Sequence, residues 1–263
     1  MTDRATIMTS DGCRLAYRWD GPVAAPVLVL SNSLGAAMAM WNLQMERFTA
    51  SRRVLRYDSR GHGRSDAPAG DYTIGRLGLD VLELADALDV GAFEFCGLSM
   101  GGMVGQWLGV NASSRLSRVA LANTAAHMGP RDAWEARISV VKAEGMAAIA
   151  PAVAERWFTP EFRGDPQRAD WLIAMLLATS PHGYRGCCAA IRDMDQRSEV
   201  YRITAPTLVI GGRDDMATPT ADAEFLAREI PGAALVMLNA AHLSNIEQPD
   251  AFAEAVLAHM DAR

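Results

Sequence analysis

Gly97-Leu98-Ser99-Met100-Gly101 is the stretch whose residue types best fit a chemical role. It has the pattern G-x-S-x-G and lies between a strand-like run, residues 92–96, and a helical pattern that continues to Trp107. A sharp strand-to-helix turn of this kind lifts the serine hydroxyl above the sheet, and the glycines leave room for the backbone. We therefore interpret Ser99 as a nucleophile; the alternative is a serine that only caps a helix.

A serine hydroxyl needs a neighbouring base to take its proton, and histidine is the usual choice. Of the five histidines, His242 follows the last strand-like run, residues 234–238, in a loop at the carboxyl edge of the predicted sheet. Sites in α/β proteins form at that edge. We expect His242 to be the base. The others lie in a glycine-rich loop, in a helical segment or near the C-terminus: His62, His127, His182 and His259.

The base needs a carboxylate that orients it, and two aspartates compete for that role. Both follow the strand-like run 205–210, in Gly211-Gly212-Arg213-Asp214-Asp215. The spacing G-x-x-D-x-x-x-P, counted from Gly212 to Pro219, places the aspartate at Asp215. We assign Asp215 as the acid and Asp214 as a solvated or loop-bracing neighbour, with the reverse assignment as the alternative.

Acyl transfer also requires donors for the oxyanion that develops on the carbonyl oxygen. The backbone N–H of Met100, directly after the nucleophile, is one candidate. The second is expected in the loop after an early strand, Leu30-Ser31-Asn32-Ser33-Leu34-Gly35, with the N–H of Leu34 as donor. The alternative is that this loop is only a polar turn.

The elements that must position these residues alternate between strands and helices, which is typical of a mostly parallel sheet with helices on both faces. A hairpin is expected around Asp11-Gly12. Helices are expected at residues 38–48, 72–88, 219–229 and 249–260. The predicted strands are residues 5–10, 13–19, 26–30, 53–57, 92–96, 117–122, 205–210 and 234–238.

The alternation stops between Thr124 and Tyr201, where the sequence predicts four helices separated near Gly145, residues 160–166 and residues 181–183. We therefore predict an α/β core domain formed by residues 1–123 and 202–263. Residues 124–201 are predicted to form a helical cap, or lid, over it.

Composition excludes several classes of protein. The chain has 263 residues, half of them hydrophobic, which is typical of a packed globular protein. Its formal charge of -6 and the absence of a basic run argue against nucleic acid as a partner. Neither a signal peptide nor an apolar run of 18 residues is present, so we expect no membrane association and a cytoplasmic location. The oligomeric state stays open.

Cofactor and metal sites are not expected. Gly61 and Gly63 begin a G-x-G-x-x-G pattern, but Asp66 stands where its third glycine belongs. No cluster of His, Cys or carboxylates has metal-ligand spacing. The four cysteines, among them the adjacent Cys187 and Cys188, are interpreted as reduced thiols; a vicinal disulfide is the alternative.

The motifs together resemble a capped α/β-hydrolase over the whole chain, with Tyr57-Asp58-Ser59-Arg60-Gly61-His62-Gly63-Arg64-Ser65 as a further shared stretch. Within that superfamily the chain resembles the 3-oxoadipate enol-lactonases of the β-ketoadipate pathway of aromatic degradation. The stretches that carry the narrower resemblance are Ser31-Asn32-Ser33-Leu34-Gly35, the sequence from Cys96 to Trp107, the sequence from Asn239 to Pro249 and, in the predicted cap, Cys187 to Asp195.

The resemblance implies a substrate and a mechanism. The substrate would be a small anionic enol-lactone that bears a carboxymethyl group, and the product would be 3-oxoadipate. Ser99 would attack the lactone carbonyl, and His242 would protonate the departing enol oxygen. The same triad serves carboxylesterases, other lactonases and cofactor-free perhydrolases, which remain alternatives. A non-hydrolytic ligand-binding protein on this fold is a further one.

An anionic substrate in a net acidic protein requires a cation near the site. The predicted cap offers Arg131, Arg137, Lys142 and Arg192. Arg137 lies three residues after Trp134, on one helical face, so the pair is suited to a small planar carboxylate. We expect Trp134, Arg137 and Arg192 to line the substrate pocket, although a solvated or salt-bridged helix face is the alternative for each arginine.

Overall fold

A computed structural model describes residues 5–262 and shows one eight-stranded sheet. The strand order is β1-β2-β4-β3-β5-β6-β7-β8, in which the β1–β2 and β2–β4 pairs are antiparallel and the others parallel. The strands are β1 Ala5–Met8, β2 Arg14–Asp20, β3 Val27–Ser31, β4 Arg53–Tyr57, β5 Phe93–Leu98, β6 Leu116–Ala122, β7 Thr207–Gly212 and β8 Ala234–Leu238.

The sheet confirms the predicted α/β architecture. Strands β4 and β8 have the predicted bounds, and the others begin or end within two residues of them. The predicted hairpin is the antiparallel pair β1–β2, in which Met8 lies opposite Arg14. Strands β3, β5, β6 and β7 are almost entirely buried, because helices cover both faces of a parallel sheet, and this is why they appear in the sequence as continuous apolar runs.

Eleven α-helices accompany the sheet in the described part of the chain. Four short 3₁₀ helices, Met38–Gln44, Ser113–Arg115, Met146–Ala148 and Val200–Arg202, complete the set. The α-helices are α1 Met45–Thr49, α2 Ile74–Ala87, α3 Met100–Asn111, α4 Arg131–Glu144, α5 Ala150–Trp157, α6 Pro160–Arg163, α7 Pro166–Leu177, α8 Pro181–Arg192, α9 Thr220–Glu229, α10 Ser244–Glu247 and α11 Pro249–Asp261.

The segment between β6 and β7 contains five α-helices, α4 to α8, and not the predicted four. Pro160, Pro166 and Pro181 were expected to separate helices, but each occupies the first position of one. Proline fits that position because its N–H would have no intrahelical acceptor there. Side chains of the preceding residues cap all three helices: Thr159, Asp165 and Ser180 each accept a backbone N–H.

The division into a core domain and a cap stays a prediction, and residues 1–4 and 263 of that division lie outside the described residues. No α-helix between residues 5 and 262 has the length and apolarity to cross a membrane. All four cysteines are buried and unbonded to one another, so no vicinal disulfide joins Cys187 to Cys188.

The parallel strands place the predicted chemistry at one edge of the sheet. Strands β3, β5, β7 and β8 run in the same direction, so their carboxyl ends, and the loops that follow, lie side by side. Leu34, Ser99, Asp215 and His242 follow these four strands in that order. Residues that are up to 208 positions apart in the sequence thus come together at one edge of the sheet.

Candidate active site

Ser99 lies at the tip of a sharp turn between β5 and α3. Its backbone φ is 59°, which few residues other than glycine adopt, and its N–H donates to the Ala122 carbonyl at 2.8 Å. The turn depends on its glycines, because a Cβ at Gly97 would lie 2.1 Å from the Gly101 oxygen and one at Gly101 would lie 2.2 Å from the Ser31 oxygen. The local structure is therefore that of the predicted elbow.

The three side chains predicted to form a triad lie in one hydrogen-bonded row. His242 Nε2 is 2.8 Å from Ser99 Oγ, and His242 Nδ1 is 2.9 Å from Asp215 Oδ2. A carboxylate only accepts hydrogen bonds, so Nδ1 donates to Asp215 and Nε2 is left to accept the Ser99 hydroxyl proton. All three residues are more than nine-tenths buried, which shields the row from bulk water.

Asp215 accepts hydrogen bonds from further donors in addition to the His242 imidazole. The N–H groups of Ala217 and Thr218 donate to Oδ1, while the Thr218 hydroxyl and the Asn123 amide donate to Oδ2. Burial alone would raise the pKa of Asp215, but His242 and these donors outweigh it and lower the pKa to about 2. Asp214 is exposed and its N–H donates to the Ala240 carbonyl, so the residue beside His242 is Asp215.

The two predicted oxyanion donors belong to loops that are bonded to each other. Met100 is the first residue of α3, where a helix leaves its N–H groups without intrahelical acceptors. The next N–H, that of Gly101, donates to the Asn32 carbonyl at 3.0 Å and thereby ties the elbow to the loop that holds Leu34. Asn32 is anchored in turn by Trp41, whose indole N–H donates to its side-chain oxygen.

Ser99 and His242 open into a cavity of about 260 Å³. Its walls come from both the sheet loops and the helices α4, α5 and α8, and they combine aromatic and aliphatic side chains with a few polar groups. The lining residues are Ser33, Leu34, Ser99, Met103, Met128, Gly129, Pro130, Ala133, Trp134, Arg137, Val153, Arg156, Trp157, Tyr184, Ile191, Met216, Ala217 and His242.

The charge of this lining is purely cationic. It contains Arg137 and Arg156 and no carboxylate among the described residues. The Arg137 guanidinium lies 4.8 Å from the Trp134 ring centroid, near the buried Tyr184. Partial burial and the neighbouring Arg137 lower the pKa of Arg156. Within residues 5–262, neither Arg137 nor Arg156 forms an ion pair, so the positive charge of the cavity lining is not neutralised by a carboxylate.

Of the three residues predicted to contact substrate, Trp134 and Arg137 line the cavity and Arg192 does not. Arg192 forms ion pairs with Asp71 and Asp193 near the surface. Successive residues of a helix point about 100° apart, and Ile191, one position earlier on α8, is the residue that faces the cavity. The expectation for Arg192 is therefore wrong, and Arg156 supplies the second cation.

A buried carboxylate that the sequence did not single out, Glu247, joins the His242 loop to the inserted helices. It accepts the N–H of Ala241 and both the N–H and the hydroxyl of Thr159. Beside it, the Leu243 N–H donates to the Trp157 carbonyl at 3.0 Å. The helix that presents Arg156 and Trp157 to the cavity is thus fixed relative to His242.

The sequence carried little signal for the residues that were missed. Arg156 and Trp157 stand next to each other in α5, and nothing in their spacing shows that both reach the cavity. Among residues 5–262, no three or more His, Cys, Asp or Glu side chains are grouped so that they could hold a metal ion. The expectation of a site without metal or cofactor stays a prediction.

Comparison with known proteins shows which family this chain belongs to. The family model described as "alpha/beta hydrolase fold" matches residues 26–249. A 3-oxoadipate enol-lactonase of Acinetobacter baylyi is 43% identical, over 96% of this chain and 95% of its own. The crystal structure of an enol-lactonase from Burkholderia xenovorans superposes with a TM-score of 0.96 at 42% identity, covering 98% of this chain and all of the other.

A more distant relative, a putative carbamate hydrolase of Stutzerimonas stutzeri, is 31% identical over 90% of this chain and 92% of its own. The predicted fold, the prediction of a hydrolase and the resemblance to enol-lactonases are all confirmed by these matches. The chain belongs to the α/β-hydrolase family, in which it is similar to the 3-oxoadipate enol-lactonases along nearly its whole length.

Proposed function

We propose that this protein hydrolyses 3-oxoadipate enol-lactone, or a lactone that shares its carboxymethyl group, to the open-chain oxo-acid. One observation carries the proposal: the hydrogen-bonded row of Ser99, His242 and Asp215 opens into a small cavity whose only charged side chains in the described lining are two arginines without acidic partners. The similarity to enol-lactonases supports the same substrate class.

The first half-reaction forms an acyl-enzyme. Ser99 Oγ attacks the lactone carbonyl carbon while its proton passes to His242 Nε2, which lies 2.8 Å away. The N–H groups of Leu34 and Met100 stabilise the oxyanion. The bond between the carbonyl carbon and the ring oxygen then breaks, and His242 returns its proton to the departing enol oxygen. Asp215 stabilises the imidazolium that exists between these two proton transfers.

The second half-reaction releases the acid. The freed enol tautomerises to the ketone, which removes the leaving group as a competing nucleophile. A water molecule then attacks the acyl carbon and gives its proton to His242 Nε2, and the collapse of the second tetrahedral intermediate returns that proton to Ser99 Oγ. The products are the free serine and the dicarboxylic oxo-acid.

The two arginines supply the affinity for an anion that the overall charge of -6 opposes. Guanidinium groups bind carboxylates through paired hydrogen bonds, and the fixed plane of Arg137 against Trp134 favours one orientation. With the carboxymethyl group held at this side of the cavity, the ring carbonyl is directed toward Ser99. Trp134 and Trp157 both line the cavity, and aromatic side chains suit contact with a planar ring.

Steady-state kinetics on the purified protein tests the proposal. We expect kcat/KM for the enol-lactone to exceed that for short p-nitrophenyl esters by a large factor, and Ser99→Ala to abolish both activities. Ester turnover equal to or above lactone turnover would assign the protein to the carboxylesterases. Preference for a carbamate, or for perhydrolysis when hydrogen peroxide is added, would assign it to those classes and overturn the lactonase proposal.

A further inference from the structure

His62 lies directly behind the loop that carries the proposed oxyanion donor Leu34. Its side chain is 99% buried and takes no part in the row that contains Ser99. The Gly35 N–H donates to His62 Nε2 at 2.8 Å, and His62 Nδ1 lies 3.2 Å from the Arg60 carbonyl. This contact links the glycine-rich loop directly to the peptide that follows Leu34.

The two contacts define the tautomer of the ring. A backbone N–H can only donate and a backbone carbonyl can only accept, so Nε2 is unprotonated and Nδ1 carries the hydrogen. Burial lowers the pKa of His62 to about 4, against an opposing contribution from the Arg60 carbonyl. The imidazole is therefore a neutral, fixed acceptor aimed at the loop near neutral pH.

The carbonyl that holds the ring is itself fixed. The Arg60 side chain is almost fully buried and forms ion pairs with Asp80 at 2.6 Å and Asp11 at 2.8 Å. The Cys187 thiol of α8 lies 3.7 Å from the same Arg60 carbonyl. His62 is thus held at Nδ1 by the fixed Arg60 carbonyl, while its Nε2 accepts the Gly35 N–H.

We propose that His62 is a positioning residue that sets the direction of the Leu34 N–H in the oxyanion hole by holding the adjoining Leu34–Gly35 peptide. The inference rests on the proposed hydrolysis through Ser99. The hydrogen bond to Gly35 fixes the orientation of that peptide, and the Gly101-to-Asn32 bond fixes the other side of the loop, so Leu34 is held between two anchors. Loss of one anchor lets its N–H turn away from the oxyanion.

Two amide variants provide a matched pair. In His62→Gln the side-chain oxygen reaches the position of Nε2, whereas in His62→Asn it is one methylene too short to accept the Gly35 N–H. Removal of an oxyanion donor costs about a hundredfold to a thousandfold in kcat, and a misdirected donor costs part of that. For p-nitrophenyl acetate we expect kcat of His62→Asn to fall about tenfold to hundredfold with KM within about twofold, while His62→Gln stays near the wild type.

A boronic acid that forms a tetrahedral adduct with Ser99 reports on the oxyanion hole separately. Its affinity should fall in His62→Asn in proportion to kcat and recover in His62→Gln. Equal activity of the two variants, or a loss that lies in KM alone, would overturn the proposal. A wild-type protein that hydrolyses neither ester nor lactone would instead refute the proposed function.

Nuclear magnetic resonance on the unmodified protein tests the contact even if His62→Asn does not fold. With uniformly ¹⁵N-labelled protein we expect a proton on Nδ1, none on Nε2, and a scalar coupling across the hydrogen bond from the Gly35 amide nitrogen to Nε2. A protonated Nε2, or a Gly35 amide that exchanges as fast as an exposed one, would show that His62 does not hold the loop.

Discussion

Replacement of Arg137 by methionine is the most informative perturbation of the proposed substrate pocket. Methionine keeps an apolar side chain out to about the position of Nε, but it removes the guanidinium group with its charge and every donor. Because Arg137 has no acidic partner among the described residues, removing its charge leaves no buried carboxylate unpaired. We therefore expect the fold to survive and binding of the anion to weaken.

The size of the effect follows from the position of the two arginines. A hydrogen bond to a charged group contributes about 1.5 to 3 kcal/mol, which is roughly a tenfold to hundredfold change in kcat/KM for Arg137→Met. Arg156 lies at the exposed mouth of the cavity, where an ion pair contributes about 0 to 1 kcal/mol. Arg156→Met should then reduce kcat/KM by no more than about fivefold.

The assay compares the anionic lactone with its uncharged methyl ester. Loss of a carboxylate contact reduces kcat/KM for the anion and leaves the neutral ester nearly unchanged. Arg192→Met is the matched control, since it removes an arginine of the neighbouring helix α8 that pairs with Asp71 and Asp193 outside the cavity. Equal losses for both substrates in Arg137→Met, or a loss in Arg192→Met as large as in Arg137→Met, would refute the assignment.

Four further outcomes are expected. Ser99→Ala should abolish hydrolysis while circular dichroism stays that of the wild type, and residual turnover would exclude Ser99 as nucleophile. Asp215→Asn should reduce kcat by orders of magnitude and Asp214→Asn by less than about twofold, because only Asp215 contacts His242; kinetics that reverse this order would exchange the two roles. Glu247→Gln should lower the free energy of unfolding in urea by about 1 to 3 kcal/mol, since an amide nitrogen would then face an N–H that had a carboxylate acceptor; an unchanged midpoint would contradict the bridge. The lowered pKa of Asp215 stabilises the folded state above pH 3.8, and that contribution, about 2 kcal/mol, should be lost as pH falls toward about 2; Asp215→Asn should flatten this part of the stability curve.

The strands could be predicted from the sequence because their burial is visible in the pattern of apolar residues. Val27–Ser31, Phe93–Leu98 and Thr207–Gly212 are buried on both faces of the sheet, so apolar residues follow one another without interruption. The predicted number of inserted helices was wrong because one helix, Pro160–Arg163, lies inside the predicted break at residues 160–166. A helix of four residues is too short to show the apolar periodicity from which helices are predicted.

The proposed triad could be predicted for a related reason. Ser99, Asp215 and His242 each follow a strand directly, and parallel strands bring their carboxyl ends together whatever the intervening chain does. The oxyanion loop after β3 follows the same rule. The role proposed for His62 could not be predicted in this way, because it depends on one backbone amide that the imidazole meets in space.

The pocket residues on the inserted helices follow no such rule, and this has a consequence for specificity. Whether Arg137, Arg156 or Arg192 faces the cavity depends on how α4, α5 and α8 rotate and pack. A shift of one residue along a helix turns the direction of the side chain by about 100°. The bridge from Glu247 to Thr159 holds α5 in place without contacting Ser99 or His242. Substitutions in these helices should therefore alter which acyl group the cavity accepts while the hydrogen-bonded row of Ser99, His242 and Asp215 stays as it is.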